Sequence, residues 1–468
     1  MNKIKIILTG SLMILSILID PSYPANVSER NSKTNDLQEI SSMWQESKAA
    51  RTTLAPLTLK QCVEIALENS PVIGYKNWKV KEVKAQKDEA ASQRWPSFHA
   101  LASYTHYSDT QRLAPPRRPD YPLIFTDEML SWNLVMTVPL FTGGRITNEI
   151  GASELSQQSA EHSLDFTRQG LIFNVTNVYF SILKQYKIIE SLDFSRTTLE
   201  GHLKRVKELI AAKKAAELDK LRIEVRLANI EQKIEQEQNI LSIHNRTLAN
   251  IMGLDVINFS IPPQSDLLFE ETEADLEENL NKAFSNRSDY HSALKDLEAQ
   301  AKRVKAASAA YWPSVSLYAS YGAKHAVGSY IQPPGIDGIE DIGQIGLFFE
   351  LPIFEAGKTK ANIEQEKARL AALKETRREM ELLIRRDVEA AILNLSSTEK
   401  RISSIEKAVE QAGESLRIEM EKYNLGKGSI TDIFDAESAL LEVQTTYYMA
   451  LADHNIYRAQ LKFVQGIL

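Results

Sequence analysis

The 468-residue sequence has a single cysteine, Cys62, so no disulfide can form within the chain. Cys62 also sits well past the N-terminal leader, where it cannot act as a lipid-bearing residue at a cleavage junction. Beyond that leader no unbroken apolar run of about 20 residues occurs, which excludes a second membrane-spanning helix. There is no basic block, and the formal net charge is -7, which argues against nucleic acid as a partner. The eight histidines are scattered without metal-ligand spacing, and no nucleophile elbow is present. Gly357-Lys358-Thr359 ends like a phosphate-binding loop, but Pro352 stands where its first glycine belongs. It reads as a strand-to-helix turn, matched earlier by Gly143-Gly144. The sequence thus points to no catalysis, no cofactor and no metal.

What is present begins with a leader. Lys3 and Lys5 precede an almost wholly apolar stretch, Ile6 to Ile19, broken by Asp20, Pro21 and Tyr23. This is the pattern of a secretory signal over residues 1–25, with Ala25 at the expected cut. A polar extension follows over 26–56. An exported chain with no further spanning helix is either soluble or inserted as a β-barrel.

The remainder repeats itself. Trp95-Pro96-Ser97 recurs as Trp312-Pro313-Ser314, and Pro139-Leu140-Phe141 recurs as Pro352-Ile353-Phe354. Asp219, Glu224 and Leu227 recur as Asp432, Glu437 and Leu440. The expected halves are 57–264 and 265–468. Each opens with a helix, Leu59 to Arg94 or Leu276 to Tyr311, ended by the Trp-Pro pair. A β-hairpin follows, over 98–141 or 315–354, with strands of about ten residues. Its first strands are Phe98 to Tyr107 and Val315 to Lys324, and its loops contain Pro115-Pro116 and Pro333-Pro334-Gly335. The second strands alternate: Leu134, Met136 and Val138 in one, Ile345, Leu347 and Phe349 in the other. That pattern suits a transmembrane strand and a soluble hairpin on a core equally.

Then the period lengthens. Leu171, Val175, Ile182, Leu192, Leu199 and Val206 step by helical spacings, as do Ile384, Val388, Leu395, Ile402 and Leu416. A helix from Arg145 to Ala212 would be about 100 Å long. After a break, which in the second half is Asn424 to Gly428, a further helix returns and in that half runs to the C-terminus. Four strands cannot close a barrel, so transmembrane strands would have to be pooled among several chains. The long helices fit a soluble periplasmic coiled-coil adaptor or structural protein as well.

These paired motifs, with the Gly-x-x-x-x-x-Asp break after Tyr423, resemble the TolC family of outer-membrane efflux proteins over nearly all of 57–468. The resemblance implies an α+β membrane protein and a homotrimer: a 12-stranded outer-membrane barrel continued by a long periplasmic helical tunnel. It implies a channel of a tripartite efflux or type I secretion system, placed in outer-membrane lipid. A periplasmic adaptor and an inner-membrane transporter would be its partners. Lacking a cysteine at the signal junction, the chain looks closer to the non-lipidated branch than to the lipoprotein branch. Asp432 and Asp435 are then expected as carboxylate rings at the periplasmic entrance, although both also suit a helix N-terminus. Asp219 and Tyr423 match a family gating pair whose arginine aligns here with Gly428, leaving Lys427 as the adjacent cation. Lys213 replaces the glycine of the first break, which predicts unlike turns in the two halves.

Overall fold

A proline divides the first helix in two. The computed structural model describes residues 57–114, 123–255, 267–272, 275–331 and 338–468. In it, α1 (Leu59–Asn69) ends at the extended residue Ser70, and α2 (Pro71–Ser92) starts on Pro71. Proline at a first helical position lacks only an N–H that would be unpaired anyway, and it forces the preceding residue out of the helical region. The expected continuous helix is therefore corrected to two. Its counterpart breaks equally, into α5 (Leu276–Asn286) and α6 (Ser288–Ser308), without a proline. There Arg287, extended at φ -65° and ψ 115°, is held by a buried fork. Its Nε and Nη2 donate to the two carboxylate oxygens of Asp289 at 3.0 and 2.7 Å. The leader, the extension, both Pro-Pro pairs and the expected boundary at 264/265 lie outside the described residues.

The strands are longer than expected. They are β1 (Ser97–Arg112), β2 (Phe125–Phe141), β3 (Ser314–Ile331) and β4 (Ile339–Glu350). Polar tracts such as Ser108 to Arg112, expected to belong to the loop, are strand. The ladder includes them through a register shift between His106 and Gln111. The sheet order is β1-β2-β3-β4, all antiparallel.

Register shows what each strand alone could not. Phe98, Met136, Ala319 and Ile345 form one cross-strand row; Ala100, Leu134, Tyr321 and Gly343 form another on the same face. The opposite face carries Ser103, Ser131, Lys324 and Glu340 in one row, where the two serine hydroxyls lie 2.8 Å apart. His99, Val135, Ser320 and Gln344 form a second row there. One face is thus apolar across all four strands in these rows, with Asp341, His325, His106 and Glu128 on it only towards the loop ends, and the other is largely polar.

Long helices α3 (Arg145–Ala211) and α7 (Lys358–Asn424) each have 67 residues, or about 100 Å. They return as α4 (Glu217–Ile251) and α8 (Ile430–Val464), of 35 residues each. Helix α8 stops short of the C-terminus, at a turn through Gly466 (φ 72°). The buried seam contains the predicted Val175, Ile182, Leu199, Val206, Ile384, Val388 and Leu395, together with Ile188. Helix α3 packs on α2, α4, α6 and α8, while α7 packs on α5, α6 and α8. Among the described residues, no helix is long and apolar enough to cross a membrane.

The two helical breaks share one backbone. Lys213 and Gly426 are both left-handed, at φ 61° and 72°. The Lys213 N–H donates to the Ile210 carbonyl at 2.9 Å and the Lys214 N–H to Leu209 at 2.8 Å. Gly426 and Lys427 repeat these bonds to Tyr423 and Lys422 at 3.0 and 2.8 Å. Unlike turns were expected; the hydrogen-bonded cap imposes the same turn on lysine at a steric cost. Lys213→Gly should therefore stabilise the fold by up to about 1 kcal/mol, and Gly426→Ala should destabilise it by about as much. Denaturant midpoints of the two variants test both signs.

Candidate functional site

The residues singled out at the helical breaks gather at one end of the long helices. In the second half, Ser429 caps α8. Its hydroxyl accepts from the Thr431 N–H at 3.2 Å, and its own N–H donates to Asp432 Oδ2 at 3.1 Å. Ser429 and Asp432 thus form a capping box, and Asp432 complements the positive end of the helix. Asp435 lies three residues on, on the same exposed side, with no partner among the described residues. The next apolar positions, Ile433 and Phe434, are buried and anchor this turn to the seam.

The first half lacks that cap. Ala216 occupies the cap position and offers no side-chain acceptor, so Asp219, at the position matching Asp432, is not drawn into a capping box. It lies 3.9 Å from Arg222 instead. Tyr423, in the last turn of α7, is half-buried against the same apolar cluster as Leu203, Val206 and Ile210 of α3. Burial pushes its phenol up, the Asp219 carboxylate adds to the rise, and Arg205 of α3 opposes it. The Asp219 carboxylate and the Tyr423 phenol are thus electrostatic neighbours.

Lys427 is exposed and makes no ion pair among the described residues; its backbone N–H completes the turn. Gly428 is tightly seated, because a Cβ there would lie 3.1 Å from both Lys422 Cβ and the Tyr423 nitrogen. A longer side chain would force the last turn of α7 to yield. The cation acting on Tyr423 is Arg205, which the sequence did not flag. No motif surrounds it, and its repeat counterpart is Ile418, so the duplication gave no signal either. Beside it His202 is held below its usual range by burial and by Arg205, and its Nε2 lacks a hydrogen-bond partner among the described residues.

The sequence profile described as outer membrane efflux protein matches residues 62–254 and 279–466. SilC of Salmonella typhimurium, named as a probable outer membrane lipoprotein, is 23% identical over 465 residues, covering 95% of each chain. The outer membrane protein TolC of Vibrio cholerae is 19% identical over 319 residues, 68% of this chain and 73% of that one. In structure, the transmembrane channel protein CusC superposes with a TM-score of 0.74 at 18% identity, over 89% of this chain and 94% of CusC. These likenesses fix the fold but assign no role to Asp219, Tyr423, Lys427, Asp432 or Asp435.

The electrostatics make a directional prediction. Asp219→Asn should lower the Tyr423 phenol pKa, and Arg205→Gln should raise it. Titration of ring-labelled tyrosine by NMR, with Tyr423→Phe to assign the signal, reads both shifts. A Tyr423 signal unmoved by both variants would show that neither group acts on it.

Proposed function

We infer the working form from one premise: the chain belongs to the outer membrane efflux protein family. It is an outer-membrane channel with a helical periplasmic part, and the reading as a soluble adaptor is set aside. The observation that carries the rest is the two-faced sheet with open edges. Among the described residues, strands β1 and β4 each pair on one side only. Inside lipid every unpaired backbone group on those edges would cost several kcal/mol, so β4 of one copy must pair with β1 of the next. The apolar face then meets lipid and the polar face lines the lumen.

Three copies, the family's number, would give twelve strands above and a tube of long helices below. The tube is a passive duct with no catalytic step of its own. An inner-membrane transporter, joined through a periplasmic adaptor, supplies the energy in a tripartite efflux or type I secretion system. That the sole cysteine, Cys62, is fully buried in α1 supports the non-lipidated branch. Burial also pushes its thiol up to about 11, making it a poor nucleophile at neutral pH.

At the periplasmic end, three copies of Asp432 and Asp435 form two carboxylate rings that favour cations. Capping does not oppose this role, since the capping box uses Asp432 Oδ2. Asp219 and Tyr423 hold the closed entrance, with Arg205 supplying the charge that Gly428 does not, while Lys427 remains at the exposed turn.

Single-channel recording on detergent-purified protein of measured oligomeric mass tests the reading. A stable trimer should conduct, and a trimer without conductance would sink it. Asp432→Ala with Asp435→Ala should cut cation selectivity severalfold without abolishing conductance; unchanged selectivity removes both residues from the entrance. Ile345→Arg, on the lipid face of β4, should destabilise the inserted barrel by about 2–4 kcal/mol. Heat-modifiability on gels would report that loss.

A further inference from the structure

Glu437 belongs to the same two turns of α8 as Asp432 and Asp435, but it points elsewhere. Two residues beyond Asp435 is a rotation of roughly 200° about the helix. Glu437 is accordingly only 5% exposed. Its Oε1 accepts the Ser195 hydroxyl of α3 at 2.7 Å. Its Oε2 is buried with no hydrogen-bond partner among the described residues. The void there is about 10 Å³, room for one water at most.

The surroundings offer little to a negative charge. The void beside the carboxyl is lined from α3 by Ser191, Ser195 and Thr198, from α7 by Leu416, and from α8 itself by Gln444, all uncharged. The charged group that acts on it is Arg226 of α4, whose guanidinium also donates to Ser438. The repeat supplies a control. Glu224 holds the same place in α4, yet it is only half-buried, because α4 packs on α3 and lacks the second long-helix neighbour that α8 has.

We propose that Glu437 is a proton-operated latch on the periplasmic entrance, clipping the start of α8 to α3 when neutral and loosening that seam when ionised. This deepens the channel reading and rests on it. The seam between α8 and α3 joins the two helical hairpins of one chain. Moving α8 away from α3 would admit water to the carboxylate and carry Asp432 and Asp435 with it.

The direction of the pH effect follows. In the closed seam burial pushes the Glu437 carboxyl up, against the smaller opposing effects of Ser195 and Arg226. In an opened, hydrated seam it returns towards its ordinary value of 4.5. Between those two values the closed form binds the proton more tightly, so acid favours closure. Above the raised value the closed form must bury an ionised, half-satisfied carboxylate, and the balance moves towards opening.

The test is bilayer conductance of the purified oligomer as pH falls on the periplasmic side, in a background of Asp432→Asn and Asp435→Asn that removes the ring's own titration. That background protein should lose conductance as pH falls towards 4.5. Adding Glu437→Gln should hold conductance at the low-pH level and abolish the dependence. Adding Ser195→Ala removes a bond to the carboxylate and should shift the midpoint upwards, which serves if the Glu437 variant fails to assemble. A pH profile that Glu437→Gln leaves in place, a midpoint that Ser195→Ala leaves unmoved, or no pH dependence in the background protein overturns the latch. Loss of conductance in the unmodified oligomer at every pH overturns the channel reading instead.

Discussion

The unpaired outer edges of β1 and β4 constrain the rest of the molecule. Backbone hydrogen bonds cannot be left open in lipid, so the sheet has to be completed by another copy. The same incompleteness runs down the chain. First-half elements meet second-half elements at β2 with β3, at α3 with α6, and at α3 with α8. The reverse pairings, β4 with β1, α7 with α2, and α7 with α4, form no comparable interface among the described residues. Each open surface is thus the repeat-related counterpart of one already filled within the chain. An interface of that kind is heterologous, and successive copies joined through it close into a ring when the rotation permits.

That arrangement explains why the helices have so little interior of their own. Two repeat-related apolar clusters lie at the same level on α3 and α7, a third lies towards the helical breaks, and a small fourth one sits at the far end of the strands. Leu382 of α7, Val225 of α4 and Trp95 beside the sheet remain more than 60% exposed, on surfaces that the chain does not cover. Burying such side chains contributes about 1.5–3 kcal/mol each, so assembly has a large apolar reserve to draw on. The helical part and the sheet therefore depend on the same partner copies.

Much of this was legible in the sequence because it is periodic. The helix of 67 residues ended within one residue of its expected end, since Leu199 and Val206 keep the seam in step with the turn. The alternation of Leu134 and Met136 with that of Ile345 and Leu347 met on one face once register joined them. What escaped was not periodic. The break at Arg287 depends on a local fork to Asp289 that leaves no compositional mark. The outer ends of the strands carry polar residues on both faces, so their pairing has no hydrophobic signature. At the entrance, Asp219 and Tyr423 came from the family resemblance, and Asp219 is also the repeat counterpart of Asp432. Arg205 has no counterpart to align with, and only the packed helices place it near them.

The two halves differ most where they face different neighbours. Gly143 precedes α3 at φ 61°, and a Cβ there would strike Trp312 Cβ at 2.6 Å and the Ala309 carbonyl at 2.8 Å. Both contacts are to the second half of the same chain, so only glycine fits. Its counterpart before α7 is Ala356, also left-handed at φ 50°. In the ring Ala356 must meet the first half of the next copy, where Trp95 holds the place of Trp312. An alanine there requires that approach to be wider than the one inside the chain. Glu437 and Glu224 differ in the same sense, one sealed against α3 and the other left for a neighbouring α7. Ser195 corresponds to Ala408 on that α7, so the seam between copies lacks the hydroxyl that clips Glu437. The duplicated chain has thus made its internal seam the more specific of the two.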